Sequence, residues 1–272
     1  MIVLPKSWIE RFEGEDIFKQ LFSLQGTLYR EKEGRKTLRF SFYGKYYFAK
    51  IHRGVGWKEI IKNLSQLRMP VFSAQNEWNG IKRLDQFSIK TMRLVGYGKR
   101  GWNPARLQSF VIMEELENTI SLEELCKSWA LSKPSYALKR ALIIEVAKIA
   151  RTLHENGMNH RDFYICHFLL DVSNGKDSLN TESLQVYLID LHRMKIMRKA
   201  SWRNRAKDIA ALYFSSMDIG LTKQDVLRFI RIYQRKPLRE TLYKERFFWW
   251  YVKRRAISLY RKEFHREPTV IL

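Results

Sequence analysis

Residues 136–156 place Leu138, Leu142, Val146, Ile149 and Leu153 at helical spacing, and the pattern stops on Gly157. Apolar residues three and four apart form one stripe of a helix, and a glycine just past the stripe allows the left-handed turn that ends it. Directly behind come His160, Arg161 and Asp162, and then the apolar run 168–172. A long helix here hands a knot of polar groups to the start of a short buried strand. Few folds can use that order, so the rest of the chain can be read against it.

Upstream, the period is mostly that of strands. Asp16 is placed to cap a short helix reaching residue 24, and after it residues 27–31, 37–43 and 46–52 read as a three-stranded meander with Gly34 and Gly44 at the turns. Alternation puts Lys50 on the same face as Phe48 and His52. A basic segment follows, with a short helical pattern around Ile60, Ile61 and Leu64 stopped near Pro70; then residues 74–87 read as a helix carrying Glu77. Strand patterns at 91–97 and 107–114 complete a sheet of about five strands. The expected class is α+β: an antiparallel sheet lobe with one main helix over 1–115, a hinge near Glu115, and a mostly helical lobe over 116–272.

In the second part, Ser121 and Glu124 have capping-box spacing. Two short strands, 168–172 and 184–189, flank an insertion with an Asn174-Gly175 turn, and the second ends on Asp190. From about Arg203 onward the pattern is helical throughout, with no internal repeat or low-complexity linker.

This order is the one in which protein kinases present their catalytic loop. Phosphoryl transfer needs a cation on the nucleotide phosphates, carboxylates for metal and a base at the acceptor hydroxyl. Lys50 would take the first role, held by Glu77; Asp162 would be the base and Asp190 a Mg²⁺ ligand. Each has an ordinary alternative. Lys50 could be one solvated cation among 50 basic residues, Glu59 rivals Glu77, and Asp190 could merely cap a turn. His160 reads as a structural histidine that orients the loop. The order of the four positions, rather than any one, points to a kinase. His154, His160, Cys166 and His167 fit no zinc spacing, and no GxSxG supports a hydrolase.

Composition narrows the partner. Fifty Lys and Arg against 28 Asp and Glu give +22, which calls for an anionic partner: nucleic acid, lipid headgroups or an acidic protein. Two cysteines, Cys126 and Cys166, without a framework spacing suit a reducing cytosol. The first residues lack a signal-peptide pattern and no apolar run reaches membrane-spanning length, so membrane contact is expected to be peripheral.

HRDFYICHFLL, together with KIHRGVGWKEIIKNL, LIDLHR and KDIAALYFSSMDIGLT, resembles the lipopolysaccharide core heptose kinase family of the WaaP or RfaP type, through most of the chain. The resemblance implies a bilobal protein-kinase-like fold and a cytoplasmic enzyme at the inner face of the bacterial inner membrane. It implies transfer of phosphate from ATP, with Mg²⁺, to the first heptose of the lipopolysaccharide inner core. By motif, Asp162 is the implied base, Lys50 the phosphate-binding lysine, Asp190 the metal ligand and Asp208 the helix carboxylate that braces the loop, with His160 and Arg161 as its support. An anionic glycolipid precursor would suit the positive charge, with residues 53–68 and 246–262 as basic surfaces. Phe247, Phe248, Trp249, Trp250 and Tyr251 could sit at a lipid interface, although contiguous apolar residues in a helix more often face a core on one side and a partner on the other. The family also admits an acidic acyl carrier protein as a partner.

Departures from ordinary protein kinases are clear. The turn at 31–36 has one glycine in place of a glycine-rich loop, and Asp190 is followed by Leu191 and His192. His167 stands five residues after Asp162, where kinases carry a metal-binding Asn; Mg²⁺ prefers oxygen, so His167 either joins the metal set, touches phosphate, or leaves one site incomplete. Two competing readings remain: a catalytically impaired kinase-like scaffold, and a basic nucleic-acid-binding protein, though no RNP, KH or helix-turn-helix pattern supports the latter.

Overall fold

The computed structural model describes residues 1–12, 16–32, 34–65 and 73–268, and the chain divides into two compact units. The first comprises Met1–Arg83, Met92–Leu116 and Leu191–Arg193; the second comprises Leu84–Thr91, Glu117–Asp190 and Met194–Leu272. The stop expected at Pro70, and Arg68, fall outside the described residues.

In the first unit the elements are β1 (Ile2–Val3), α1 (Lys6–Arg11), α2 (Ile17–Phe22), β2 (Thr27–Lys32), β3 (Arg35–Phe42), β4 (Lys45–His52), α3 (Gly56–Ser65), α4 (Gln75–Gln86, its last turn counted with the second unit), β5 (Leu94–Arg100) and β6 (Gln108–Glu114). The described sheet has six antiparallel strands in the order β1-β5-β6-β4-β3-β2, one more than expected. The added strand is the two-residue β1, whose Ile2 and Val3 pair with Gly98 and Tyr97. So short a strand has no period to read, and only its partner defines it. Asp16 caps α2 as expected, its Oδ1 accepting from the Phe18 N–H at 2.9 Å.

Register decides which face does what. Leu38, Ala49 and Ile112 are aligned across β3, β4 and β6, and with Phe40, Tyr47 and Ile51 they bury against Trp8, Phe12, Phe18 and Leu21 of α1, α2 and their connection. Trp8 is packed by Phe40, Phe42 and Tyr47, a cluster that contributes several kcal/mol through area and ring geometry. Because side chains alternate, Thr37, Lys50, Val111 and Tyr97 form the next row, on the opposite face. Trp78 of α4 stacks on Tyr97 at 5.1 Å between ring centroids, so α4 covers that second face.

In the second unit the elements are β7 (Thr119–Ser121), α5 (Leu122–Cys126), α6 (Tyr136–Glu155), β8 (Met158–Asn159), β9 (Phe168–Asp171), β10 (Val186–Leu188), β11 (Lys195–Ile196) and the helices α7 (Trp202–Ser215), α8 (Lys223–Gln234), α9 (Leu238–Lys244) and α10 (Arg246–Phe264). Ser121 caps α5 by accepting from the Glu124 N–H, and Thr222 with Asp225 forms a full capping box on α8. α6 runs as its apolar stripe requires and ends at Gly157, whose φ is +74°. A side chain there would strike the Met197 carbonyl, which lies against the glycine as β11 pairs with β8. On α10, Phe248 is buried while Phe247 and Trp250 are largely exposed. No helix among the described residues is long and apolar enough to cross a membrane.

Candidate active site

In the first unit, β4 presents Lys50 to α4. Its Nζ lies 2.6 Å from Oε1 of Glu77, whose side chain is 1% exposed. A buried carboxylate needs a cation, and the Trp78–Tyr97 stack beside it holds α4 at the distance that lets this pair close. The side chain of the rival, Glu59, lies outside the described residues. Two residues beyond Lys50, His52 is buried; burial, with Arg35, Lys50 and His192 adding positive charge, pushes its pKa down to about 3.

In the second unit, the loop after α6 is held from behind by α7. Asp208, 2% exposed, accepts the main-chain N–H of His160 at 2.8 Å through Oδ2 and that of Arg161 at 2.9 Å through Oδ1. Arg161 sits at φ +73°, a costly conformation for a residue with a side chain, and the two hydrogen bonds from its loop to one carboxylate are what maintain it. Ser215 Oγ, a further two turns along α7, accepts the N–H of Ile165 at 3.0 Å. Burial alone would raise the Asp208 pKa, but hydrogen bonding from His154 and the nearby imidazole and backbone donors hold it below the ordinary carboxylate range. Asp208 therefore stays ionised as an acceptor for the loop.

His160 is fully buried and its Nε2 donates to the carbonyl of Ile189 at 2.9 Å; burial pushes its pKa down. The imidazole thereby ties the loop to the residue preceding Asp190. Asp190 itself lies at φ +62°, just past the end of β10, where Leu188 pairs with Phe168. His167 Nδ1 is 2.6 Å from the carbonyl oxygen of Asp162, and its Nε2 is 3.6 Å from Oδ2 of Asp190.

The residues singled out by sequence thus assemble in two groups, one within each unit. Lys50 and Glu77 meet in the first; His160, Arg161, Asp162, His167, Asp190 and Asp208 meet in the second. Among the described residues, no group of three or more His, Cys, Asp or Glu side chains is gathered as a metal site. His154 instead lies in the last turn of α6, bonded to Asp208 Oδ2 at 3.2 Å and to the Tyr233 hydroxyl at 2.8 Å. Sequence reasoning missed this pair. A histidine next to Leu153 on a buried stripe was the available signal, but Tyr233 lies 79 residues away.

A second feature had no signal at all. The helices α5 to α10 border an apolar pocket of about 410 Å³, lined among others by Cys126, Leu142, Val146, Ile209, Phe229 and Trp249. One water occupies about 30 Å³, so this space would accommodate an extended apolar group. Lys223 and Lys253 contribute to its wall. Burial raises the Cys126 thiol to about 12.

A family model described as the lipopolysaccharide kinase (Kdo/WaaP) family matches residues 19–233. The lipopolysaccharide core heptose(I) kinase WaaP of Pseudomonas aeruginosa is 45% identical over 262 residues, covering 96% of this chain and 97% of its own. That of Escherichia coli is 47% identical over 246 residues, covering 90% and 91%. A solved structure described as WaaP in complex with acyl carrier protein superposes with a TM-score of 0.83 at 41% identity, covering 96% of this chain and 99% of that one. The α+β architecture with a kinase-like sheet and helical region is therefore shared, and the chain belongs to the lipopolysaccharide kinase (Kdo/WaaP) family.

Proposed function

We propose that this protein transfers the terminal phosphoryl group of ATP to a hydroxyl of the first heptose of the lipopolysaccharide inner core. The observation that carries the reading is the His160-Arg161-Asp162 loop clamped to Asp208 ahead of a strand-terminal Asp190, in a chain about 45% identical to heptose(I) kinases over nearly its whole length. Neither the inactive-scaffold reading nor the nucleic-acid reading gains an observation.

In this mechanism Lys50, kept extended by Glu77, neutralises charge on the nucleotide phosphates. Asp162 accepts the proton of the heptose hydroxyl as its oxygen attacks the terminal phosphorus, and ADP departs with the electrons of the broken P–O bond. Asp190 would hold a divalent ion, with His167 beside it as a second candidate. A carboxylate fits Mg²⁺, and two protein donors leave room for phosphate and water oxygens. When bound, the ion supplies charge neutralisation on the phosphates. Asp208 does no chemistry; it fixes the loop so that the Asp162 carboxylate does not drift, since a misplacement of about 1 Å can cost on the order of 10²-fold in rate.

The same reading extends to partners. An acyl carrier protein is a fitting one: the apolar cavity would take an acyl chain, and exposed Lys223, Lys253, Arg254, Arg261 and Lys262 would face its acidic surface. Exposed Phe247 and Trp250 among these cations also suit peripheral contact with an anionic membrane, where the lipid-linked acceptor resides.

The test is Asp162→Asn. Mass spectrometry of core lipopolysaccharide from cells carrying only this variant should lose a phosphate-sized mass on the inner-core heptose, while the purified variant keeps its fold and binds ATP. Retained phosphorylation would overturn the assignment.

A further inference from the structure

We propose that His167 is a nitrogen ligand to the divalent ion carried by Asp190, and that the site consequently favours a first-row transition ion such as manganese over magnesium. The inference rests on Asp190 being the metal-binding carboxylate.

His167 Nδ1 lies 2.6 Å from the main-chain carbonyl oxygen of Asp162. A carbonyl only accepts, so Nδ1 must carry the hydrogen. In a neutral imidazole the lone pair is then on Nε2, the atom 3.6 Å from Oδ2 of Asp190. A ring that donates one N–H to a backbone carbonyl while presenting its other nitrogen is the usual arrangement of a metal-bound histidine, because the outer hydrogen bond fixes tautomer and orientation together.

The donor pair is also built on paired backbone. The Ile189 N–H donates to the His167 carbonyl at 3.0 Å, and Leu188 is registered against Phe168, so the strand ends carrying the two ligands are locked side by side. The His167 N–H donates to the Tyr164 carbonyl at 3.0 Å, and the rings of His160 and Tyr164 flank the imidazole at centroid distances of 5.7 and 6.1 Å. The two side chains remain 20% and 28% exposed, enough for an ion to reach them. The two donors are thus held side by side before an ion arrives, with phosphate and water oxygens to supply the rest of its coordination.

Donor chemistry then sets preference. Mg²⁺ demands hard oxygen ligands in near-ideal octahedral geometry, whereas imidazole nitrogen suits Fe, Ni, Cu and Zn; Mn²⁺ shares the carboxylate and water preference of Mg²⁺ but opens the first-row series whose affinity for nitrogen sites rises from it. An amide side chain would offer an oxygen at this place; His167 cannot. Mn²⁺ tolerates carboxylate, phosphate and imidazole together, which makes it the ion to probe.

The experiment uses the full chain with Mn²⁺ and ADP, in protein carrying ¹⁵N-labelled histidine, and reads pulsed electron paramagnetic resonance together with Mn²⁺ and Mg²⁺ affinities. Wild type should show a histidine ¹⁵N coupling to Mn²⁺. In His167→Asn that coupling should vanish and the Mn²⁺-to-Mg²⁺ affinity ratio should fall by about 10-fold or more. His167→Gln serves as a second variant should the first fail to fold. Absence of ¹⁵N coupling in wild type, as would occur if the ring were simply a protonated partner of Asp190, overturns the inference; so does an unchanged ratio in both variants. Asp190→Asn separates the underlying reading: if it leaves Mn²⁺ affinity unchanged, Asp190 is not the ligand, whereas weakened binding there with none in His167→Asn removes only the role of His167.

Discussion

The imidazole Nε2 of His154 lies 3.2 Å from the carboxylate of Asp208, deep in the second unit, while its Nδ1 meets the Tyr233 hydroxyl at 2.8 Å. The brace on the His160–Asp162 loop therefore extends through three helices: Asp208 on α7, His154 on α6 and Tyr233 on α8. His154→Phe should remove a donor from Asp208 and the imidazole acceptor from the buried Tyr233 hydroxyl, which keeps Arg205, destabilising the protein by about 1–3 kcal/mol in urea unfolding. His154→Gln, which can still donate, should recover part of that loss.

Asp208→Asn is the more severe change. An amide can accept only through one oxygen, so one of the two loop N–H groups loses its partner and the buried site loses its charge. A loss of stability of about 3–5 kcal/mol is expected, with kcat falling more than KM for ATP rises. Urea titration and steady-state kinetics on the same preparation would check both.

Lys50 and Glu77 form a pair whose members cannot be judged singly. Lys50→Met leaves a buried carboxylate alone and should destabilise the protein as well as lower phosphoryl transfer by on the order of 10²-fold. Adding Glu77→Gln should return stability but not activity. A double-mutant cycle read by thermal unfolding and by turnover separates the two effects.

His52 gives a pH dependence with a definite sign. Its folded pKa, about 3, lies below the ordinary 6.5 because burial and then Arg35, Lys50 and His192 oppose protonation. The unfolded state thus binds the proton first, so the stability is fully present above about pH 6.5 and is lost as pH falls from there toward 3. The slope from this group is at most about 1.4 kcal/mol per pH unit. His52→Gln should flatten the melting temperature against pH between 6.5 and 4 relative to wild type.

The apolar cavity allows a test independent of catalysis. Val146→Trp, on the wall, should fill much of the space. Binding of an acylated carrier protein in a pull-down should then drop at least 10-fold, while any binding of the carrier without its acyl chain, carried by the basic surface, should persist. Equal loss of both would place the interaction elsewhere.

Local pattern sufficed wherever neighbours along the chain decide the outcome. The α6 stripe with its glycine stop, the Asp16 and Ser121 caps and the alternation that puts Lys50 opposite the core face depend on residues within a few positions of one another, and all stand in the structure. The order of Lys50, Glu77, the His160–Asp162 loop and Asp190 was legible for the same reason. Tertiary structure alone decided the rest. β1 exists because β5 offers it an edge. His154 meets Asp208 across 54 residues and Tyr233 across 79, and the 410 Å³ pocket is bordered by the six helices α5 to α10. These relationships depend on distances between elements far apart in the chain, and no periodicity in a single segment encodes such a distance.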